Sequence, residues 1–272
     1  MIYKQNLHTH TTYVDGRDTA EELILEAIAR GHGAIGFSEH TYLTYSTYPD
    51  QLTPDKMVCY KNEIEGLKRR YRNQLQIFCG LEVDYYSDVD VTGFDYLIGS
   101  AHYLACGSGI FTFDRDLAST EAYINAHFGG NAIAFAKKYF ETVALLPQKY
   151  PIDIIGHFDL IAKNNLAGKF FDIASREYLT LGYEAIHALR GRVPFFEVNT
   201  GAMVKGTMLH PYPMLDFLKE LRACGFGAVI TSDCHDKRYL DGGFAEAAEA
   251  LRAAGFASKY ILTENGFQEA CL

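Results

Sequence analysis

His8 and His10 stand two residues apart in NLHTHTT, directly after a short apolar segment. On an extended strand, residues i and i+2 point to the same face, so the two imidazoles can reach one metal ion. Taken alone, the pair could equally be two polar residues in a turn, since short motifs carry false positives. The same residue types recur along the chain: His40 in GFSEH, Glu82 in GLEVD, His102 in GSAH, His157 in GHFD, and Asp233 with His235 in SDCHD. Each lies at or just beyond the C-terminal end of an apolar run that reads as a strand. His32, His127, His187 and His210 fall instead in or beside helical patterns and read as surface or packing residues. So many nitrogen and oxygen ligands exceed the needs of one mononuclear zinc ion, and the pattern predicts a multinuclear metal site.

Those side chains need elements that deliver them to one place. A strand near Gln5 to His8 precedes Thr19-Ala20-Glu21-Glu22, a capping box in which hydroxyl and carboxylate satisfy backbone donors reciprocally. Leu23, Ile24, Ala27 and Ile28 follow at helical spacing, and Gly31 offers a stop. AIGFS at Ala34 to Ser38 reads as a strand, and Thr53-Pro54 opens a second helix carrying Val58, Ile64, Leu67 and Tyr71. The alternation continues through LQIFCGLEV, YLIGSAH, a helix over roughly Asn131 to Leu146, IDIIGH and a helix after Ser175. FFEVN, a helix from Pro211 to Cys224, AVITSD, a helix around Phe244 to Ala254 and KYILT complete it. About seven or eight strands separated mostly by helices imply an α/β protein with a mainly parallel sheet, either a closed barrel or an open doubly wound sheet. In a barrel the strand C-termini meet on one face, which would gather the histidines.

Composition narrows the function classes. The 272 residues carry a formal net charge of -9 with acidic residues spread along the chain, so a nonspecific nucleic-acid surface is not expected. The N-terminus has no apolar signal region and no segment approaches a membrane span, which reads as a cytoplasmic protein without a membrane partner. The six cysteines show no CxxC spacing and read as reduced, mostly buried thiols.

LHTHTTYVDG, GFSEH, GLEVDYY, IGSAHY, IIGHFDLIAK, FEVNTGAMVKG and ITSDCHD occur in that order over nearly the whole length. On these motifs the chain resembles the PHP (polymerase and histidinol phosphatase) phosphoesterases. GLEVDY, GSAHY and EVNT followed by a PYP segment are similar to the stand-alone histidinol-phosphate phosphatase branch. The resemblance implies one domain over residues 1–272, a distorted (β/α)7 TIM-like barrel holding three divalent ions, Mn, Fe or Zn. It assigns His8, His10, Glu82 and Asp233 to one ion, Asp15, His40 and His235 to a second, and Glu82, His102 and His157 to a third. Glu82 would then bridge two ions. Asp15 stands where other branches often have His, and an oxygen ligand there favours manganese or iron over zinc.

The implied activity is hydrolysis of L-histidinol phosphate in histidine biosynthesis, with Asp233, Glu82 and His235 as the catalytic set. The alternatives are a phosphatase for another small ester, such as a nucleotide or sugar phosphate, and a metal-binding module without turnover. A dianionic phosphate usually calls for a cation beyond the metals, and Arg17, Lys163 and Lys205 each follow a strand end that carries site residues. The branch often has a basic residue where Ala162 stands here. Asp114 in FTFD is the expected contact for a substrate amine, and Tyr42, Tyr45 and Tyr48 occupy the loop after His40.

Overall fold

The computed structural model describes residues 3–46, 51–107 and 109–272. In chain order the first half holds β1 (Gln5–Asn6), α1 (Ala20–Ala29), β2 (Ala34–His40), α2 (Pro54–Tyr71), β3 (Gln76–Asp84), β4 (Tyr96–Ser100), β5 (Tyr103–Cys106), β6 (Gly109–Thr112), α3 (Leu117–Phe128) and α4 (Ala132–Lys149). The second half holds β7 (Ile154–Ile155), α5 (Arg176–Leu189), β8 (Phe195–Asn199), α6 (Gly201–Val204), α7 (Leu215–Ala223), β9 (Gly227–Thr231), α8 (Phe244–Ala253), β10 (Ser258–Thr263) and β11 (Gly266–Cys271).

Seven strands run parallel in the order β1-β2-β3-β4-β7-β8-β9. The two ends of that sheet meet beyond β1 and β9, where His10 N donates to Cys234 O and Cys234 N donates to His8 O, both at 2.9 Å. The result is a nearly closed α/β barrel, which decides against the open doubly wound sheet. Strand period explains how one end becomes polar. Phe78 and Gly80 share a face of β3 with Glu82, and Phe195 shares a face of β8 with Glu197. Phe78, Tyr96, Ile98, Ile154, Phe195 and Val229 pack together as an apolar cluster. Tyr96 fills the space over Gly36 and Gly80, where any Cβ would collide with it, and its hydroxyl donates to the carbonyls of Leu7 and Phe37. The larger core lies between the strands and the surrounding helices and includes Leu23, Ile24, Ile64, Phe135, Tyr178 and Phe217. The capping box of α1 is present: Thr19 Oγ1 accepts from Glu22 N and the Glu22 carboxylate accepts from Thr19 N at 2.9 Å. Such a cap contributes about 1 kcal/mol and fixes where the chain leaves the loop that carries Asp15.

Several expectations are corrected. KYILT becomes β10, which pairs antiparallel with β11 outside the barrel. The helix expected from Pro211 starts only at Leu215, because Tyr212 is used by an antiparallel bridge to Asn199, with N–H···O distances of 2.8 and 2.9 Å. The β5–β6 hairpin and α3 carried no recognised periodicity. Among the cysteines, all free thiols, Cys79 and Cys234 are buried whereas Cys59 and Cys271 are exposed. Tyr48 lies outside the described residues. No described helix is long and apolar enough to cross a membrane.

Candidate metal centre

The strand ends bring all nine expected metal ligands to the polar end of the barrel. Register places His40 directly beside Glu82 on neighbouring strands. Glu82 is fully buried and its two oxygens face different imidazoles. Oε2 stands 2.7 Å from His40 Nδ1, 3.3 Å from His8 Nε2 and 3.7 Å from His10 Nε2. Oε1 stands 2.9 Å from His157 Nε2 and 3.5 Å from His102 Nε2, and those two nitrogens are 3.3 Å apart. Asp233 Oδ1 lies 3.2 Å from His10 Nε2, 3.6 Å from His8 Nε2 and 3.4 Å from His235 Nδ1. Asp15 Oδ2 lies 3.3 Å from His235 Nε2 and 3.6 Å from His40 Nε2.

Among the described residues four overlapping ligand groups form at this end: His10 with Asp15, His40 and His235, His8 with His10 and Asp233, His8 with Glu82 and His157, and His40 with Glu82 and His102. His102 and His157 thus share Glu82 but fall in different groups rather than in the single one expected. His10 also joins Asp15, His40 and His235, its ring stacked on those of His40 and His235 at 4.4 and 4.2 Å. The second histidine of HTH thus faces both the buried group and the outer one.

Glu197, the Glu of EVNT, was not expected to have a role, yet it organises two of these groups. Its Oε2 lies 2.8 Å from His8 Nδ1 and accepts from Thr231 Oγ1 at 2.8 Å; its Oε1 accepts from His157 N and Asn199 Nδ2, both at 2.7 Å. A carboxylate on one ring nitrogen fixes the orientation of an imidazole and raises its basicity as a metal ligand. Here it turns Nε2 of His8 toward Glu82 and Asp233. Asp84 does the same for backbone, accepting from His102 N at 2.8 Å and Tyr86 N at 2.9 Å.

The atoms left over suit a metal. His8 Nε2, both ring nitrogens of His10, His157 Nδ1 and Glu82 Oε2 are buried without a hydrogen-bond partner, although buried polar atoms are nearly always paired. Burial, reinforced by His235 and His40, pushes the His10 imidazole down to about 3, the neutral form that ligates metals. Burial likewise leads in lowering His102, to about 4. For Glu82 burial opposes charge, but His40, His8 and His102 outweigh it and hold the carboxyl well below the ordinary range. The same contest at Asp233, won by His8 and His235, keeps that carboxyl ionised. In turn, against the pull of burial, Glu197 with Glu82 raises His8, Glu82 with Asp15 raises His40, and Glu82 raises His157. Protons therefore occupy part of a set of carboxylates and imidazoles that suits divalent transition ions.

The PHP domain family matches this chain over residues 6–200. The chain belongs to the PHP family. A probable histidinol-phosphatase of Schizosaccharomyces pombe is 26% identical over 282 aligned positions, spanning 95% of this chain and 88% of that protein. The histidinol-phosphatase of Bacillus subtilis is 30% identical over 182 residues, 60% of this chain and 68% of that one. The crystal structure of a Lactococcus lactis histidinol phosphate phosphatase, complexed with zinc, L-histidinol and phosphate, matches with a TM-score of 0.73 at 18% identity. The match covers 98% of this chain and 100% of that one, so the PHP barrel is shared from end to end.

A cavity of about 510 Å³ opens over this PHP cluster and is lined by Asp15, His40, Glu82, His102, His157, Asp233 and His235. Asp114, Lys163 and Lys205 line it as well, so three of the four expected substrate contacts reach the site. Arg17 does not line it. Its side chain is 74% exposed and stands 3.5 Å from Asp236, because the turn after Gly16 carries it away from the strand ends. The arginine that does line the cavity is Arg115, an exposed residue next to Asp114 and beyond β6, where no strand-end signal marked it. Of the loop tyrosines, Tyr45 packs edge-on against Tyr103 at 5.9 Å, and only Tyr103 is a lining residue. The remaining histidines lie outside the cluster; His187, for example, pairs with Glu220 on the outer helices at 2.6 Å.

Glu197→Gln gives a direct test of the supporting shell. The variant places an amide NH2 among four donors, and metal affinity measured by competition with a chelator should fall about 10–100-fold. Wild-type affinity in that variant would confine Glu197 to folding.

Proposed function

We propose that this chain is a metal-dependent phosphomonoesterase that converts L-histidinol phosphate to L-histidinol and phosphate, acting as one PHP domain over residues 1–272. The observation that carries the reading is Glu82, a buried carboxylate with each oxygen turned to a separate imidazole group at the floor of a cavity that also holds Lys163 and Lys205. The names of the curated relatives point to the same ester, as do the L-histidinol and phosphate held by the Lactococcus lactis protein.

In this reading three divalent ions, Mn, Fe or Zn, would be held by His8, His10, Glu82 and Asp233, by Asp15, His40 and His235 with His10 adjoining, and by Glu82 with His102 and His157. Such ions lower the pKa of bound water and neutralise phosphoryl oxygens during displacement. The chain's own residues supply the rest. Asp233 is ionised and accepts a hydrogen bond from the attacking water, holding it in line with phosphorus. Its backbone is held in the left-handed region, with φ at +48°, which is costly for a residue with a side chain, and Gly201 packs against its Cβ. Glu82 holds the two inner groups at a fixed separation, and His235 positions Asp233 from the outer side. Lys205 and Lys163 supply cations for the phosphate oxygens that face the cavity.

The reading is tested with a panel of monoesters. The kcat/KM for L-histidinol phosphate should exceed that for p-nitrophenyl phosphate by at least ~100-fold, roughly 3 kcal/mol, because contacts to the remote amine and imidazole contribute to transition-state binding. Equal values would favour a generic phosphatase.

A further inference from the structure

We propose that the Lys163–Asp114 ion pair selects phosphate monoesters whose alcohol carries an ammonium group, exchanging one internal pair for two pairs with the substrate. This rests on the phosphomonoesterase reading of the site. Lys163 Nζ stands 3.7 Å from Asp114 Oδ2, and both residues line the cavity beside His102 and His157. Thr112 Oγ1 donates to Asp114 Oδ1 at 3.0 Å and anchors the carboxylate at the end of β6. The Asp114 side chain is only 17% exposed, so its charge depends on a partner. Burial opposes that charge, and Lys163 first, then His102, the Thr112 hydrogen bond and His157, together outweigh it.

Lys163 therefore has two claims on it. A phosphate dianion at the metal cluster attracts the ammonium of Lys163, but moving it takes from the mostly buried Asp114 carboxylate its strongest charge partner, leaving the Thr112 hydrogen bond and the weaker pull of His102 and His157. For an ester of an uncharged alcohol, the gain at phosphate is offset by that loss, and Lys163 stays largely on Asp114. An ester with an ammonium group near the phosphate brings its own replacement: the substrate cation takes Asp114 while Lys163 turns to the phosphate. Lys205 lines the cavity from the segment after β8 and serves both kinds of ester alike. Discrimination thus comes from the cost of leaving a buried charge unpaired, which is a stronger filter than added contact area.

The consequence is an effect of opposite sign on two substrates. In metal-loaded wild-type enzyme, kcat/KM for phosphoethanolamine should exceed that for ethyl phosphate by at least about 10-fold. Asp114→Asn, nearly isosteric and able to keep the Thr112 contact, should lower the phosphoethanolamine value about 10-fold or more. It should raise the ethyl phosphate value about 2–5-fold, because Lys163 is released to the phosphate. Lys163→Met should keep a preference for phosphoethanolamine through Asp114, and a second Asp114→Asn change in that background should remove the preference without the gain on ethyl phosphate, since there is no lysine left to release. An equal loss on both esters in Asp114→Asn, or an unchanged ratio, would overturn the exchange. The histidinol phosphate reading fails separately: a wild-type enzyme that prefers phosphoethanolamine to ethyl phosphate, yet shows no preference for L-histidinol phosphate over p-nitrophenyl phosphate, keeps the ion-pair exchange and loses that substrate.

Discussion

Changing Glu82 to Gln should lower kcat/KM by at least ~1000-fold, about 4 kcal/mol, and should remove more metal than the loss of any single terminal histidine. The change keeps size and shape, so its effect reads the charge. In the native site Oε2 faces His40, His8 and His10 while Oε1 faces His157 and His102. No other carboxylate among the described residues stands within 4.0 Å of ring nitrogens from both sets, Glu197 meeting the His8 ring but only the backbone N of His157. An amide supplies one oxygen and sets an NH2 donor against imidazole nitrogens on the other side. One ligand group then loses its anionic member and the other keeps a weaker one. His102→Asn, by contrast, removes one neutral ligand from one group and should cost about 10–100-fold, in the range of other single perturbations of a metal shell. The two variants, compared for turnover and for metal content by elemental analysis, separate a bridging carboxylate from an ordinary one. Near-native turnover in Glu82→Gln would sink the bridging role.

What could be read from the sequence, and what could not, follows a physical division. Eight of the nine expected metal ligands were legible because each sits at or just beyond the end of a buried strand, where period two and the parallel register leave few directions for a side chain to point, whereas Asp15, in the turn after His10, came only from the family resemblance. Phe78, Gly80 and Glu82 share one face for that reason, and His40 beside Glu82 follows from the register. Helix α1 was legible through its cap and its apolar stripe. What was not legible depends on contacts between segments distant in sequence. Glu197 acts through His8, 189 residues away, and its own neighbours FEVN read as an ordinary buried strand. Arg17 and Arg115 carry the same charge in similar loops and both are exposed, and only the path of each turn places Arg115 and not Arg17 at the cavity wall. The late start of α7 has the same origin, since the backbone of Tyr212 is taken by Asn199. The count of seven or eight strands contained the seven of the barrel, and KYILT is a strand as well, but its place stayed open because such an apolar run packs equally well in a hairpin outside the barrel as in the barrel itself.

Removing the metal should lower the melting temperature by roughly 15–30 °C, the second large effect. A ligand held at a hundred times its dissociation constant stabilises the native state by about 2.7 kcal/mol, so three such sites contribute about 8 kcal/mol. For a domain of this size each kcal/mol shifts the midpoint by about 2–4 °C. Where that stability acts is set by the topology. The barrel closes where β1 meets β9, through the backbone pairs of His10 and Cys234 with their partners across the seam. His8 and His10 come from one side of that seam, Asp233 and His235 from the other, so ions shared among them tie the first strand to the last. Protein purified without chelator should contain close to three transition-metal equivalents per chain, and a single equivalent under metal-replete conditions would remove the trinuclear assignment. After exhaustive chelation, hydrogen exchange should speed up first at the amides of His10 and Cys234, while amides in the middle of β3 keep their protection. In Glu82→Gln the fall in melting temperature on chelation should be smaller than in wild type, because that variant has already lost part of what the chelator removes. An equal fall in the two proteins would mean that Glu82 does not hold the metal on which the seam depends.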